Sequence, residues 1–546
     1  MKQENGGITM RSTFFGLETA RRGMVTQQTA LNVVGHNISN ANTVGYTRQR
    51  VNFSTTTPYP NVGMNRPYFP GQIGTGVKSE SIQRIRDQFA DIQFREQNNK
   101  LGYFTSLNES LVKMEEIMNE PSESGLHYTM EQFWNSIQTL AANTENSGAR
   151  SLVSANGQMV ADTFNYYYNS LTTIQRDLNG EIDVVAKEVN ELITGIAELN
   201  KQISEIEPVG MLPNDLYDKR DLLVDELSAY VNISVTKVRP TEYGNALPIA
   251  EGIYNIELVN KDGSSYTDAS GNPINLLSAD LLGNQGHLQL GVERDPITNL
   301  VTEITGGTGT GAFSIGINDF TKTGELSAII ESYGYMENGD VKGHYPEMIN
   351  DLNNLLITFA NEFNAVHRAG HTLNGGVSGE DFFQLNGITK TGTNYSYDVP
   401  NASQIIKVNS IIVSDPSQIA AGEGNGDAGN NINAQKLANL KTLDFAQYTT
   451  TANIPAGITG NVDTFYSGII GKLGVVSRSA ELNKTNADIM LSTVDQRRQS
   501  VTSVSLDEEM VDMIRFQHAY NASARNITVV DEMLDRVING MGRVGL

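Results

Sequence analysis

One hydrophobic seam constrains the fold more than any other feature of this chain. Ile182, Val185, Val189, Leu192, Ile196, Leu199, Ile203 and Ile206 follow one another at alternating steps of three and four. That is the heptad spacing of a helix with one buried face. The pattern predicts a helix beginning near Ser151 and stopped by Pro208 and Pro213. It would span roughly 55 residues, or about 80 Å at 1.5 Å per residue. A rod of that length does not fit inside a small catalytic domain, so it predicts an elongated body.

The rest of the chain arranges itself around this rod. Residues 14–38 place Leu17, Ala20, Met24, Leu31, Val34 and Ile38 on one helix face, and the Asn-rich stretch 37–42 with Gly45 ends the helix. Residues 51–76, rich in Thr, Pro and Gly, read as extended loop. Helix is predicted from near Ser79 to about Asn119, with Gly102 a weak point, then over 126–142 and 214–230. The period then changes. Segments 231–238, 253–259 and 287–293 alternate or carry β-branched residues between Gly, Asn and Asp turns, and predict one β domain ending near 344. Helix returns at 345–367, a mixed Gly- and Asn-rich stretch runs to about 460, and helices over 461–541 close the chain. The last begins at a capping-box pattern, Ser505 to Glu508, and carries Met510, Met513, Ile514, Ile527, Val530, Leu534 and Val537.

The expected fold is therefore multidomain α+β. An elongated helical body carries paired N- and C-terminal coiled-coil helices and an inserted β domain. The expected units are 1–60 with 500–546, 61–230 with 345–499, and 231–344, the last a plug-in domain with its own core.

Composition excludes several functions. With 39 Lys and Arg against 62 Asp and Glu, the net charge is −23. That argues against nucleic acid and against an anionic membrane surface as partners. No apolar run is long enough for a transmembrane helix, and the first 25 residues lack the continuous apolar stretch of a cleaved secretory signal. The chain has no cysteine, which removes disulfides and thiolate chemistry, and which suits a chain exported unfolded. Local motifs add no chemistry. His367 and His371 have zinc-ligand spacing, but Gly370 lies between them and the Glu of a zinc-protease motif is missing. GGTGTG (306–311) lacks the Lys-Ser/Thr of a phosphate loop, and GEGNGDAGNN (422–431) has too few carboxylates for calcium. Trp134 and Tyr166–Tyr168 sit in helical pattern and read as packing. No catalytic residues, metal ligands or cofactor are predicted.

The chain ends point elsewhere. Ala30-Leu31-Asn32 and the run Asn37-Ile38-Ser39-Asn40-Ala41-Asn42-Thr43-Val44-Gly45-Tyr46-Thr47-Arg48 resemble the signature of the bacterial flagellar axial proteins. Stretches 214–228, 359–383 and 504–534 resemble the hook-associated, junction-forming members of that family rather than hook or distal-rod subunits. Val44 stands where that family commonly has Pro, and MKQENGGIT before Met10 reads as a leader or alternative start. The resemblance implies a secreted, non-enzymatic structural subunit of the flagellum, exported through the flagellar type III apparatus. It would sit at the hook–filament junction and assemble with further copies through its terminal helices. Implied partners are the hook protein, a second hook-associated protein on the filament side, and a small cytoplasmic export chaperone at the C-terminal helix. The residues expected to carry assembly are Leu17, Met24, Leu31 and Ile38 against Met513, Ile527, Leu534 and Val537. The turn holding Asn42, Gly45 and Tyr46 is expected to set the angle between inner and outer shells. The rival from another class is an outward-facing adhesin or enzyme module in the β insert.

Overall fold

The computed structural model describes residues 14–540 except 61, 63–70, 121, 123–124, 269, 282–284, 308–311, 321, 374–376, 391, 425–426, 451–453 and 456. The chain opens with α1 (Phe15–Ser39), then an antiparallel ribbon of β1 (Gln49–Thr55) and β2 (Val77–Arg84), with Gln49 opposite Arg84 and Val51 opposite Ile82. The ribbon replaces the expected loop and the expected helical start near Ser79. Its strands satisfy each other's backbone across a long connection, a pairing that local pattern does not reveal.

Four helices follow: α2 (Gln88–Met118), α3 (Leu126–Ala142), α4 (Ser147–Ile206) and α5 (Asn214–Tyr230). Asp87 starts α2 by accepting from the amides of Phe89 and Ala90, and Asn119 ends it in left-handed backbone at φ 36°. Asn146 does the same service at the head of α4, which therefore starts four residues before Ser151 and reaches 60 residues. Gly102 does not weaken α2 but brings it close to α5: a Cβ there would lie 2.3 Å from the Ala229 carbonyl oxygen.

The segment expected as one β domain is two sheets and a helix. β3 (Ile233–Val238), β4 (Ile253–Leu258), β5 (Asn275–Ala279) and β6 (Gln285–His287) form an antiparallel sheet in that order. The predicted strand 287–293 breaks at this point, and β7 (Leu290–Arg294) belongs to the second sheet. That sheet also holds β8 (Val301–Gly306), β9 (Phe313–Gly316) and, after α6 (Gly324–Tyr333), β10 (Tyr335–Glu337) and β11 (Asp340–Lys342). Helix α6 corrects the expectation of a self-contained insert. Leu326, Ala328, Ile329 and Ile330 are fully buried, and Tyr103 of α2 donates to Glu331 at 2.7 Å. The core of 231–344 is thus continuous with the helical body.

The remaining elements are α7 (His344–Ala369), β12 (Phe383–Leu385), α8 (Ala402–Ile405), β13 (Ile406–Val408, paired with β12), α9 (Ser410–Ser414), α10 (Ile432–Asn439), α11 (Val462–Thr502) and α12 (Leu506–Asp535). An aromatic knot of Phe133, Trp134, Phe359, Phe363, Phe382 and Phe383 ties α3, α7 and β12 together. The α4 seam holds as far as Val189, with Ile182 and Val185 buried. Beyond it the buried line passes through Ile193, Ile196, Asn200 and Ile203, leaving Leu192, Leu199 and Ile206 half-buried. Asn200 stands on this line, bonded to the backbone of Tyr254 in β4 and accepting from Arg220 of α5, so the face packs on a sheet and a helix together.

Candidate assembly site at the paired chain ends

α1 and α12 pair antiparallel and in step. A Cβ on Gly16 would lie 3.4 Å from Val530 and one on Gly23 3.0 Å from the Ser523 hydroxyl, while Asn37 donates to Glu509 at 3.0 Å. Small residues let the two backbones approach. The buried face of α1 is Ala20, Thr26, Ala30, Val33, Val34 and Asn37, and that of α12 is Glu509 and Leu534. Of the expected interface residues, Leu17, Met24, Leu31 and Ile38 flank this line half-buried, Ile527 is half-buried and Leu534 is buried. Met513 and Val537 are exposed, at 37% and 46%. Exposed beside them are Met510, Ile514, Val529 and Met533, with Val25 on α1. The pair shares a small core of Ala30, Val33 and Val51, with Ile82 and Phe516 packed on it, separate from the core of the body.

The turn after α1 is built as a tight corner. Thr43 donates its amide to the Asn40 carbonyl, and Gly45 takes φ +79° against the Leu222 side chain. Asn42, Val44 and Gly45 are exposed. Tyr46 points back, donating to the Asn37 side chain at 2.7 Å with its ring edge on His36. Burial and the nearby carboxylates of Asp215, Asp218 and Glu509 push the Tyr46 hydroxyl well above its usual range.

What joins this terminal unit to the body is ionic. Arg84 reaches Asp218 (2.7 Å), Asp221 (2.9 Å) and Glu251 (2.6 Å). Arg86 binds Asp91 at 2.6 Å and Asp221 at 3.0 Å, and Arg95 binds Asp225 at 2.8 Å. Arg498, near the end of α11, lies 2.5 Å from Asp225 with its guanidinium over Phe94. The Thr47 amide donates to Asp218 at 3.0 Å. Arg48 grips the first turn of α12 through Glu508 and Glu509, and its amide donates to the Thr502 carbonyl. Burial pushes the Asp221 carboxyl up, but Arg86, Arg84, Arg95 and Arg220 outweigh it and hold the group well below the usual carboxylate range. At Asp218 burial wins and the carboxyl is raised. Sequence reasoning missed this joint. The available signal was Asp218, Asp221 and Asp225 on one face of α5, which reads as a solvated face until the arginines opposite it are known.

The other candidate motifs are structural. His367 is fully buried, its Nε2 accepting from the Ala420 amide and its Nδ1 against the Glu380 carbonyl, so neither nitrogen is open to a metal. Trp134 is buried in the aromatic knot, and Tyr167 donates to the Met118 carbonyl. Glu423 of the Gly-rich loop pairs with Lys436. Residues 308–311 of the GGTGTG stretch, and the stretch through Met10, lie outside the described residues. Among the described residues no group of three His, Cys, Asp or Glu is placed to hold a metal, and no helix is long and apolar enough to cross a membrane.

Both paired ends match families of the flagellar axis. Residues 17–47 match the family described as flagella basal body rod protein, and residues 496–540 the flagellar basal body rod FlgEFG protein C-terminal family. The α1–α12 pair and its turn thus mark a flagellar axial protein. Residues 111–383, half of the chain, match the flagellar hook-associated protein FlgK helical domain, and the match runs through both sheets. Flagellar hook-associated protein 1 of Bacillus subtilis (strain 168) is 43% identical over 535 residues, covering 98% of this chain and 99% of that one. The Escherichia coli (strain K12) protein of the same name is 25% identical, covering 96% and 99%. The solved structure of the flagellar hook junction protein FlgK from Burkholderia pseudomallei shares the fold, with a TM-score of 0.54 at 13% identity over 75% of this chain and 100% of that one. The chain belongs to the flagellar hook-associated protein 1 family, which decides against a hook or distal-rod subunit.

Proposed function

We propose that this chain is a non-enzymatic structural subunit of the hook–filament junction, secreted through the flagellar type III apparatus and assembled with further copies through its terminal helices. The observation that carries this reading is the α1–α12 pair, which buries small residues inside and leaves Met510, Met513, Ile514, Val529, Met533 and Val537 exposed outside. Exposed apolar clusters of that kind, one near each end of the helix, call for partner surfaces. The relatives named hook-associated protein 1 support hook protein and a second hook-associated protein as neighbours, and the same clusters suit a small export chaperone before assembly. The terminal unit would lie innermost, the helical body around it, and the sheets of 231–344 outermost.

The test is a strain lacking the gene, viewed by electron microscopy. Hooks without filaments, restored by this chain, are expected. Missing hooks, or filaments attached without the chain, would overturn the reading.

A further inference from the structure

The sulfur of this chain is all methionine, since no cysteine is present. The thioether is then the side chain an oxidant attacks most readily, and it reaches an exposed one first. Met114, Met118, Met130 and Met348 are buried in the core of the body. Met510, Met513 and Met533 of α12 are exposed, the first at 53% and the last at 56%.

Each of the three sits in an apolar cluster of α12. Met510 and Met513 stand with Leu506, Val511 and Ile514 near its start. Met533 stands with Val529 and Val537 near its end, about 30 Å beyond Met513 at 1.5 Å per residue. The buried residues of α12 are Glu509 and Leu534, and neither is a methionine.

We propose that Met510, Met513 and Met533 form an oxidation site that decides whether α12 can dock on a partner. Hydrogen peroxide transfers one oxygen atom to the thioether sulfur. The O–O bond breaks and an S–O bond forms; the sulfide is oxidised, and the peroxide is reduced and leaves as water. The product is a polar sulfoxide in a cluster that must shed its water to dock. Its oxygen gives up hydrogen bonds that an apolar partner surface cannot replace. The buried residues of α12 are untouched, so the subunit keeps its fold and loses only docking. A flexible thioether adapts to surfaces of different shape, which suits a helix met by several partners in turn. The inference rests on the assembly reading above and adds how that surface is switched off.

The purified chain is treated briefly with hydrogen peroxide, quenched with catalase, mapped by mass spectrometry and added to cells of the deletion strain. Sulfoxide is expected at Met510, Met513 and Met533 before Met114, Met118 and Met130, with circular dichroism unchanged and filaments lost. A chain carrying Met510→Leu, Met513→Leu and Met533→Leu should keep its filaments after the same treatment. One carrying Met159→Leu, Met211→Leu and Met490→Leu, which removes exposed methionines of the body, should lose them like the parent. An untreated parent that builds no filaments, both here and when expressed in the strain, sinks the proposed function by itself. If the untreated parent builds them, the site is wrong where the oxidised parent still builds them or where the three α12 methionines react no sooner than the buried ones. It is equally wrong where the α12 leucine chain, active before treatment, is inactivated like the parent. Should the leucine chain be inactive before treatment, the body variant decides: continued sensitivity supports the site, and resistance overturns it.

Discussion

Replacing Arg84 by Met should cut the joint between the terminal unit and the body. The Arg84 side chain is 3% exposed and lies within 2.9 Å of three carboxylates, Asp218, Asp221 and Glu251. Methionine keeps the apolar stem and removes the charge. Breaking a buried ion pair from one side costs about 3–5 kcal/mol. Arg86, Arg95 and Arg220 still surround Asp221, which places the expected loss near the lower end. The pH dependence follows from the shifts. Asp221 and Glu251 are held below their ordinary values of 3.8 and 4.5, Arg84 among the causes in both. Stability from such groups is present above those values and is lost as pH falls through the folded ones. Asp218, already raised by burial against the pull of Arg84, goes higher without it and takes its proton sooner. The gap between parent and Arg84→Met should therefore be full at pH 7 and narrow below about pH 4. Urea unfolding at both pH values reads it through Trp134, the single tryptophan, buried in the aromatic knot. A loss below about 1 kcal/mol at pH 7, the worth of an exposed pair, or a gap unchanged by acid, would refute the reasoning.

Gly102→Ala should destabilise by about 1–3 kcal/mol despite alanine's better helix propensity, because the new Cβ would meet the Ala229 carbonyl at 2.3 Å; a higher urea midpoint would contradict this. Burial lowers His367 to about 4. Its ring should stay neutral at pH 5 by NMR, and stability should fall as pH drops from 6.5 through 4, where the unfolded chain takes the proton first; a midpoint near 6.5 would sink the assignment. Glu325→Gln should stabilise the chain at pH 8, where the carboxyl, raised to about 7 by burial and then by Glu181, Glu188 and Glu109, is ionised at a cost, and give no gain below pH 4.5; equal melting temperatures at pH 8 would remove the repulsion. In a verified monomer, amides of α12 should exchange faster than those of residues 182–206, since the terminal pair rests on a small core of its own; equal protection would count against an unfinished surface.

Much of the helical frame was legible because it is local. The predicted helices 126–142 and 214–230 coincide with α3 and α5, whose apolar periodicity and bounding Gly, Asn and Pro lie within a few residues of one another. The ribbon was not legible, since Val51 and Ile82 meet only through a pairing across the Pro-rich stretch. Nor was the division of β6 from β7, for a strand's sheet is decided by its distant partners. The pairing of the chain ends was legible in outline, but its line of contact was not. The predicted face of Leu17, Ala20, Met24, Leu31, Val34 and Ile38 holds two of the buried residues, Ala20 and Val34, whereas Ala30, Val33 and Asn37 lie off it and the four large residues are only half-buried. The ionic joint was hidden because Asp218, Asp221 and Asp225 look alike in water and against arginine.

The contact of Asn37 with Glu509 and of Arg48 with Glu508 spans more than four hundred and fifty residues of intervening chain. Closing a loop that long carries an entropic cost that must be met before either helix gains from the other. During synthesis α1 is made first and must wait for nearly everything else before its partner exists. Whichever end leads when a chain is threaded, the other arrives last. Completion of the terminal pair is therefore a record that the whole polypeptide is present. A chain cut short before α12 cannot form the contacts that Asn37 and Arg48 make with its first turn.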